Sequence, residues 1–201
     1  MAATGKLGRL TAKSSALFVC DIQDKFRKVI HGMPEVIQTA SRLVRAANVL
    51  DVPIFVTEQY PQRLGNTVPE ISKDLGSAPV FDKTLFSMCT PELVKSFGEK
   101  RVEQVLLCGI ETHVCVYQTC LDLVERHGVE VHVCVDGVSS QRQGDRSVAL
   151  QRLSQMPNVF FCTSEMAMFQ LVGDSKHPQF KQISSLAKES RTEAPLIESH
   201  L

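Results

Sequence analysis

Short apolar runs of strand length alternate along the chain with stretches whose apolar residues recur every three or four positions. Residues 16–20 form the first run and read as a buried strand. Pro34 then opens a helix whose Val36, Ala40, Leu43, Ala47 and Leu50 share one face; proline suits a first turn, where its missing N–H has no partner to lose. Residues 53–57 predict a second strand, starting at a proline where no ladder donor is required. Pro61, Gly65, Pro69 and Gly76 make residues 58–78 loop-rich, with one short helix. A brief strand follows over 79–82, then a helix with Thr90 as N-cap, Pro91 at its first position, Glu92 in its first turn and Gly98 as its stop. Residues 104–108 predict a strand that Gly109 breaks. A helix from about Cys115 to His127 turns Val116, Cys120, Leu123, Val124 and His127 inward. Beyond it, residues 130–135 predict a strand ended by Asp136-Gly137, 145–156 a helix, 159–162 a strand, and 163–172 a helix stopped by Gly173. Pro178 starts a last helix with Phe180, Ile183 and Leu186 inward.

Strands alternating with helices predict the α/β class: three αβα layers around a mainly parallel sheet of about six strands, joined by right-handed crossovers. Ligands of such sheets bind beyond the carboxyl ends of the strands, where the winding reverses. One domain is expected over residues 14–187, after a short segment 1–13 and before a polar tail 188–201.

Composition narrows the class of partner. The 22 Lys and Arg balance the 22 Asp and Glu, so no global field draws in nucleic acid or anionic lipid, and a small-molecule substrate or a protein partner is expected. No apolar run reaches the ~18 residues that would cross a membrane. Seven cysteines at 20, 89, 108, 115, 120, 134 and 162 include no Cys-x-x-Cys pair and are odd in number. They predict neither a disulfide framework nor a zinc site, and fit a reducing compartment such as the cytoplasm. Two addresses stay open beside that one. The first thirteen residues are basic like a mitochondrial presequence, and Ser199-His200-Leu201 resembles a peroxisomal terminal tripeptide.

Three polar residues each follow a strand and should project from one edge of the sheet: Asp21, Lys83 and Cys115. Free N–H groups at a helix start favour thiolate over thiol, and a nearby ammonium adds to this. Lys83 is placed to supply that ammonium, and Asp21 to take the thiol proton and later return it to a leaving group. Backbone N–H groups of the loop 109–115 are placed to bind an oxyanion. Each residue also has an ordinary reading: Asp21 as a turn or cap residue, Lys83 as a solvated amine, Cys115 as a small buried hydrophobe. The argument for a site rests on their coincidence.

The segments around these residues resemble the isochorismatase-like cysteine hydrolase family, and within it the animal isochorismatase domain-containing proteins. Asp21-Ile22-Gln23-Asp24-Lys25-Phe26 is similar to its Asp-x-Gln-x-x-Phe opening, Phe81-Asp82-Lys83-Thr84 to its lysine segment, and Gly109 through Val116 to its Gly-x-x-Thr-x-x-Cys-Val signature. The likeness runs from about residue 14 to 186. It implies a Rossmann-like fold, an Asp-Lys-Cys triad of Asp21, Lys83 and Cys115, and an oxyanion loop of Ile110, Glu111 and Thr112 with a cis Ile110–Glu111 peptide. It also implies a homo-oligomer. Gln23, Phe26, Tyr60 and Phe86 are then candidates to line the substrate pocket, the aromatics having a competing reading as core residues.

Departures from the family shape the expected chemistry. The histidines with which nicotinamidases hold a metal after the second strand are absent from Thr57-Glu58-Gln59-Tyr60-Pro61, so neither metal nor other cofactor is expected. Glu111 replaces a small residue; it either repels acidic substrates or holds the loop by a hydrogen bond. Retention of Cys115 points to amide, carbamoyl or ester substrates. Two alternatives stand beside that reading: a binding or regulatory protein with a vestigial triad, and acid-catalysed vinyl-ether hydrolysis through Asp21 alone. His113 is a rival base for Cys115 but shares its tight loop. Cys108 and Cys134, inside strands, should be inert. Arg142 and Arg146 read as solvated.

Overall fold

The computed structural model describes residues 7–189. The expected alternation is present: β1 Ser15–Cys20, α1 Met33–Val49, β2 Ile54–Gln59, α2 Pro61–Leu64, α3 Pro69–Ser72, β3 Val80–Lys83, α4 Pro91–Glu99, β4 Gln104–Ile110, α5 Tyr117–His127, β5 Glu130–Ser139, α6 Gln143–Leu153, β6 Val159–Cys162, α7 Ser164–Val172 and α8 Phe180–Ala187. All the strand pairings are parallel, in the order β3-β2-β1-β4-β5-β6. The chain winds outward from β1 to one rim and then from β4 to the other. The winding therefore reverses between β1 and β4, which is where a sheet of this kind opens a crevice at its carboxyl end.

Alternation along β1 builds one core on each face of the sheet. Leu17 and Val19 pack with α1, α7 and α8 through Val36, Ala40, Leu43, Met168 and Ile183. Ala16, Phe18 and Cys20 pack with α4, α5 and α6 through Leu93, Phe97, Cys120, Leu123 and Leu150. Because β1 is buried on both sides, it reads as a continuous apolar run rather than an alternating one. Thr90 caps α4 by accepting from the Leu93 N–H, and Thr163 caps α7 by accepting from Met166.

Three expected stops are not stops. Gly98 lies inside α4, which runs on to Glu99. Gly109 lies inside β4 at φ +126°; a Cβ there would sit 2.1 Å from the Cys20 carbonyl oxygen, so glycine is what lets β4 close on β1. Asp136-Gly137 does not end β5 either. The register with β4 slips there, from Leu107 facing Val133 to Gly109 facing Val138, and β5 continues to Ser139. Arg146 makes this bulge tenable. Its guanidinium is buried, not solvated, and donates to the Val135 and Val138 carbonyls at 2.7 and 3.1 Å. Arg142 is exposed as expected.

His132, on β5, is buried against Phe160 with ring centroids 5.2 Å apart, and its Nε2 has no hydrogen-bond partner. Burial holds its pKa down to about 4. The unfolded chain takes up this proton near pH ~6.5. The neutral buried ring thus contributes stability above that value, which is lost as pH falls from ~6.5 toward 4. His132→Leu is expected to flatten that part of the pH dependence. Urea midpoints across the window check it, and an unchanged slope would assign the acid sensitivity elsewhere.

Among the described residues no helix is long and apolar enough to cross a membrane. Ser199-His200-Leu201 and the first six residues lie outside the described residues.

Candidate active site

Asp21 leaves the end of β1 in a left-handed conformation, φ 53°, which swings its carboxylate over the carboxyl edge of the sheet. Its backbone N–H bonds the Thr57 carbonyl of β2 at 3.1 Å, and the Thr57 hydroxyl donates to Oδ1 at 2.7 Å. Lys83 arrives from β3, two strands away. Strands sit about 4.8 Å apart, so the side chain must cross roughly 10 Å over β2, a span that suits lysine. Its Nζ donates to Asp21 Oδ2 at 2.7 Å and to Gln59 Oε1 at 2.7 Å. The carbonyls of Leu85 and Phe86 accept from it at 3.1 and 3.0 Å. Asp21 and Lys83 are 1% and 5% exposed, which rules out the solvated-amine reading of Lys83.

Cys115 comes from the other side of the crevice. Thr112–Val116 form a wide helical turn that leads directly into α5, so the helical segment starts three residues earlier than the pattern predicts. The Glu111 carbonyl accepts from both the Val114 and Val116 N–H groups, at 3.0 and 3.1 Å. The turn is clamped below by Thr119, whose hydroxyl donates to the Cys115 carbonyl at 2.6 Å and accepts the Met88 N–H at 2.9 Å. The peptide between Ile110 and Glu111 is cis. The sulfur of Cys115, the sulfur of Cys20 and a carboxylate oxygen of Asp21 all lie within 4.8 Å of one another.

Burial favours the neutral amine at Lys83, but the facing Cys20, Asp21 and Cys115 and the hydrogen bond to Asp21 outweigh it and hold the lysine pKa above its usual value. Lys83 is therefore an ammonium throughout the neutral range. The Cys20 pKa is raised as well, which keeps that group neutral: burial, a hydrogen bond with Cys115 and the charge of Asp21 hold its thiol well above the ordinary range. Burial likewise raises the thiols of Cys108 and Cys120, and lifts Cys89 to about 11.

Other sequence candidates take supporting places. Gln23 is fully buried, and its amide is committed to backbone: it donates to the Gln59 and Gly65 carbonyls at 3.0 and 2.6 Å and accepts from the Gln59 N–H at 2.8 Å. It holds the loop that follows β2 rather than facing a substrate. Phe26 is half-buried against the core that packs on α1. Tyr60 and Phe86 are exposed, Tyr60 lying under the Arg63 guanidinium, while Phe86 meets the site through its carbonyl. Of the two readings of Glu111, the structure shows the loop-holding one: its carboxylate accepts from the Gln141 backbone N–H at 3.0 Å. His113 bonds Ser140 Oγ at 2.9 Å. Thr112 is buried beside it with its hydroxyl unpaired.

Sequence reasoning missed Cys20, Thr57 and Gln59. Nothing in a buried strand marks one cysteine out, although its position next to Asp21 on a strand end was a signal. Thr57 and Gln59 share one face of β2, two residues apart, and that periodicity was the available clue.

The site also bears on metal binding. The carboxylate of Glu58, in the segment compared above with the nicotinamidase metal site, is occupied by the Thr67 N–H and hydroxyl and by Asn66, at 2.6, 2.7 and 3.0 Å. At Cys20, Asp21 and Cys115 the Lys83 ammonium already stands 2.7 Å from the carboxylate, and its charge opposes a second cation. These residues do not fit the metal that the resemblance attributes to nicotinamidases.

The protein-family model of the isochorismatase domain matches residues 15–165. A Phytophthora sojae protein named secreted isochorismatase effector Isc1 is 50% identical over 93% of this chain and 90% of its own. Mouse isochorismatase domain-containing protein 2A is 48% identical over 98% of this chain and 93% of its own. A solved Caenorhabditis elegans structure described as MAR1 ribonuclease is 46% identical and superimposes with a TM-score of 0.89, over 95% of this chain and 98% of that one.

Proposed function

The chain belongs to the isochorismatase domain family, and from that footing we propose that it is a metal-independent cysteine hydrolase acting on a small amide, carbamoyl or ester compound. Cys115 is the nucleophile. Its proton passes to Asp21 as the sulfur adds to the carbonyl carbon, and Asp21 returns that proton to the departing amine or alcohol. A thioester-like intermediate remains. Water, deprotonated by Asp21, adds to it and expels the thiolate. Lys83 keeps positive charge beside the developing thiolate, and the backbone amides of the Ile110–Glu111–Thr112 turn are the proposed oxyanion donors.

The observation that carries this reading is the buried 2.7 Å contact of Lys83 with Asp21, a carboxylate oxygen of which lies within 4.8 Å of the Cys115 sulfur at the reversal of the sheet. A solvated lysine or a structural cysteine needs no such convergence. Iodoacetamide, applied across pH and mapped by mass spectrometry, tests it: Cys115 is expected to be modified faster than the other six thiols. Uniform slow labelling would support the vestigial-triad reading instead.

The name of the Caenorhabditis elegans relative brings a phosphodiester substrate into question. The equal numbers of acidic and basic residues give no net positive charge to draw in RNA, and the Lys83 ammonium is already surrounded by four acceptors. A homo-oligomer is part of the same proposal. Val80, Leu85, Phe86 and Tyr60 are 43%, 56%, 52% and 42% exposed around the rim strand β3, next to the site. Covering such an apolar patch with a second copy is favourable. Sedimentation is expected to show a species larger than the monomer, and Phe86→Glu to shift it toward monomer. A monomeric wild type removes this part of the proposal.

A further inference from the structure

Cys20 has no part in the proposed hydrolysis, yet its position is specific. It is the last residue of β1, and alternation turns its side chain with Ala16 and Phe18 into the face that also holds Cys115. Gly109, opposite it on β4, has no side chain to separate the two elements, and a Cβ there would strike the Cys20 backbone. The two sulfurs consequently face each other within 4.8 Å, with Asp21 at the same distance limit. Cys20 is fully buried, whereas Cys115 keeps 7% exposure, so a small reagent from the crevice reaches Cys115 first.

We propose that Cys115 is a site of reversible oxidation by hydroperoxides, with Cys20 as its resolving partner. In the first step the Cys115 thiolate attacks one peroxide oxygen. The O–O bond breaks, an S–O bond forms, and the second oxygen leaves as water or alcohol after taking a proton. The sulfur gives up two electrons and the peroxide takes them. In the second step the Cys20 sulfur attacks the Cys115 sulfur, the S–O bond breaks, and the hydroxide leaves as water with the Cys20 proton, relayed by Asp21. A side-chain rotation at either cysteine must bring the sulfurs to the ~2.05 Å of a disulfide. The product masks the nucleophile and protects it from irreversible over-oxidation.

A second cysteine pair provides an internal control. Cys134 and Cys162 are register partners on β5 and β6. Both are buried in the core on the other face of the sheet from Cys115, and the Cys134 thiol donates to the Asp136 carboxylate at 3.1 Å. That pair is expected to stay reduced.

The full chain is treated with hydrogen peroxide, its remaining thiols are alkylated in denaturant, and the digest is mapped without reduction. Two of the seven thiols should disappear, in a peptide linking Cys20 to Cys115, and dithiothreitol should restore both. No Lys or Arg separates Cys108, Cys115 and Cys120, so fragmentation of their shared tryptic peptide assigns the link. In Cys20→Ala the same dose should carry Cys115 on to sulfinic acid, without recovery by dithiothreitol. A wild-type map with Cys115 at sulfinic acid or unreacted while Cys20 remains alkylatable overturns the proposal, as does a link confined to Cys134 and Cys162. The wild-type map decides even if the variant does not fold. The readout needs no substrate, so failure of the hydrolytic reading and failure of this one are separate results.

Discussion

Cys115→Ala is expected to lower turnover by on the order of 10³-fold or more, with little change in the unfolding transition. The sulfur is the bond-forming atom of the proposed reaction, and a methyl group cannot replace it. Structurally the change is small. Thr119 holds the turn through the Cys115 carbonyl, not through its side chain, so the helical turn keeps its clamp. The measurement is kcat on the best substrate from a panel of small amides, carbamoyl compounds and esters, with phosphodiesters included as a contrast. Asp21→Asn in the same panel separates mechanisms. Cysteine hydrolysis should be lost in both variants, since the acid moves the proton and the sulfur makes the bond. Acid-catalysed vinyl-ether hydrolysis should survive Cys115→Ala and be lost in Asp21→Asn. If Cys115→Ala turns over amides as fast as wild type, the nucleophile has been misassigned.

Lys83→Met is expected to damage both stability and turnover. Asp21 and Lys83 form an ion pair whose side chains are 2% and 0% exposed. Removing the ammonium leaves Asp21 a buried charge held by the Thr57 hydroxyl. Breaking a buried pair in this way costs about 3–5 kcal/mol. For a chain of this size that corresponds to a fall in Tm on the order of 10 °C. The sign for the wild type follows from the raised lysine pKa. The pair's contribution is complete below the unfolded lysine value of ~10.4 and is lost as pH rises through the higher folded value. Chemical denaturation of Lys83→Met, Asp21→Asn and the double variant checks the account. The double variant should be more stable than the sum of the single losses predicts, because removing both charges strands neither. Strict additivity would mean that the 2.7 Å contact carries no coupling.

Much of this was legible in the sequence because the signals are local. Strand and helix periods, the Thr90 cap, and the placement of Asp21, Lys83 and Cys115 after strands all follow from neighbouring residues. What was not legible depends on contacts distant in the chain. Gly109 and Asp136-Gly137 carry ordinary breaker signals, but β1 requires a residue without a side chain at the first, and Arg146 accommodates the bulge that includes the second. Gln23 belongs to a motif that suggests substrate contact, but its amide is used up by the loop after β2. Cys20 looks like any core cysteine until β4 brings Cys115 over it.

The amine is delivered by β3, a four-residue strand that pairs with β2 alone at the outer rim of the sheet. Rim strands open more readily than central ones, so a weakly secured ladder carries the charge on which the proposed chemistry depends. On warming, the proposed activity should fade before the fold melts: a transient lifting of that rim withdraws the cation, while the interior strands that lead to the acid and the sulfur remain paired.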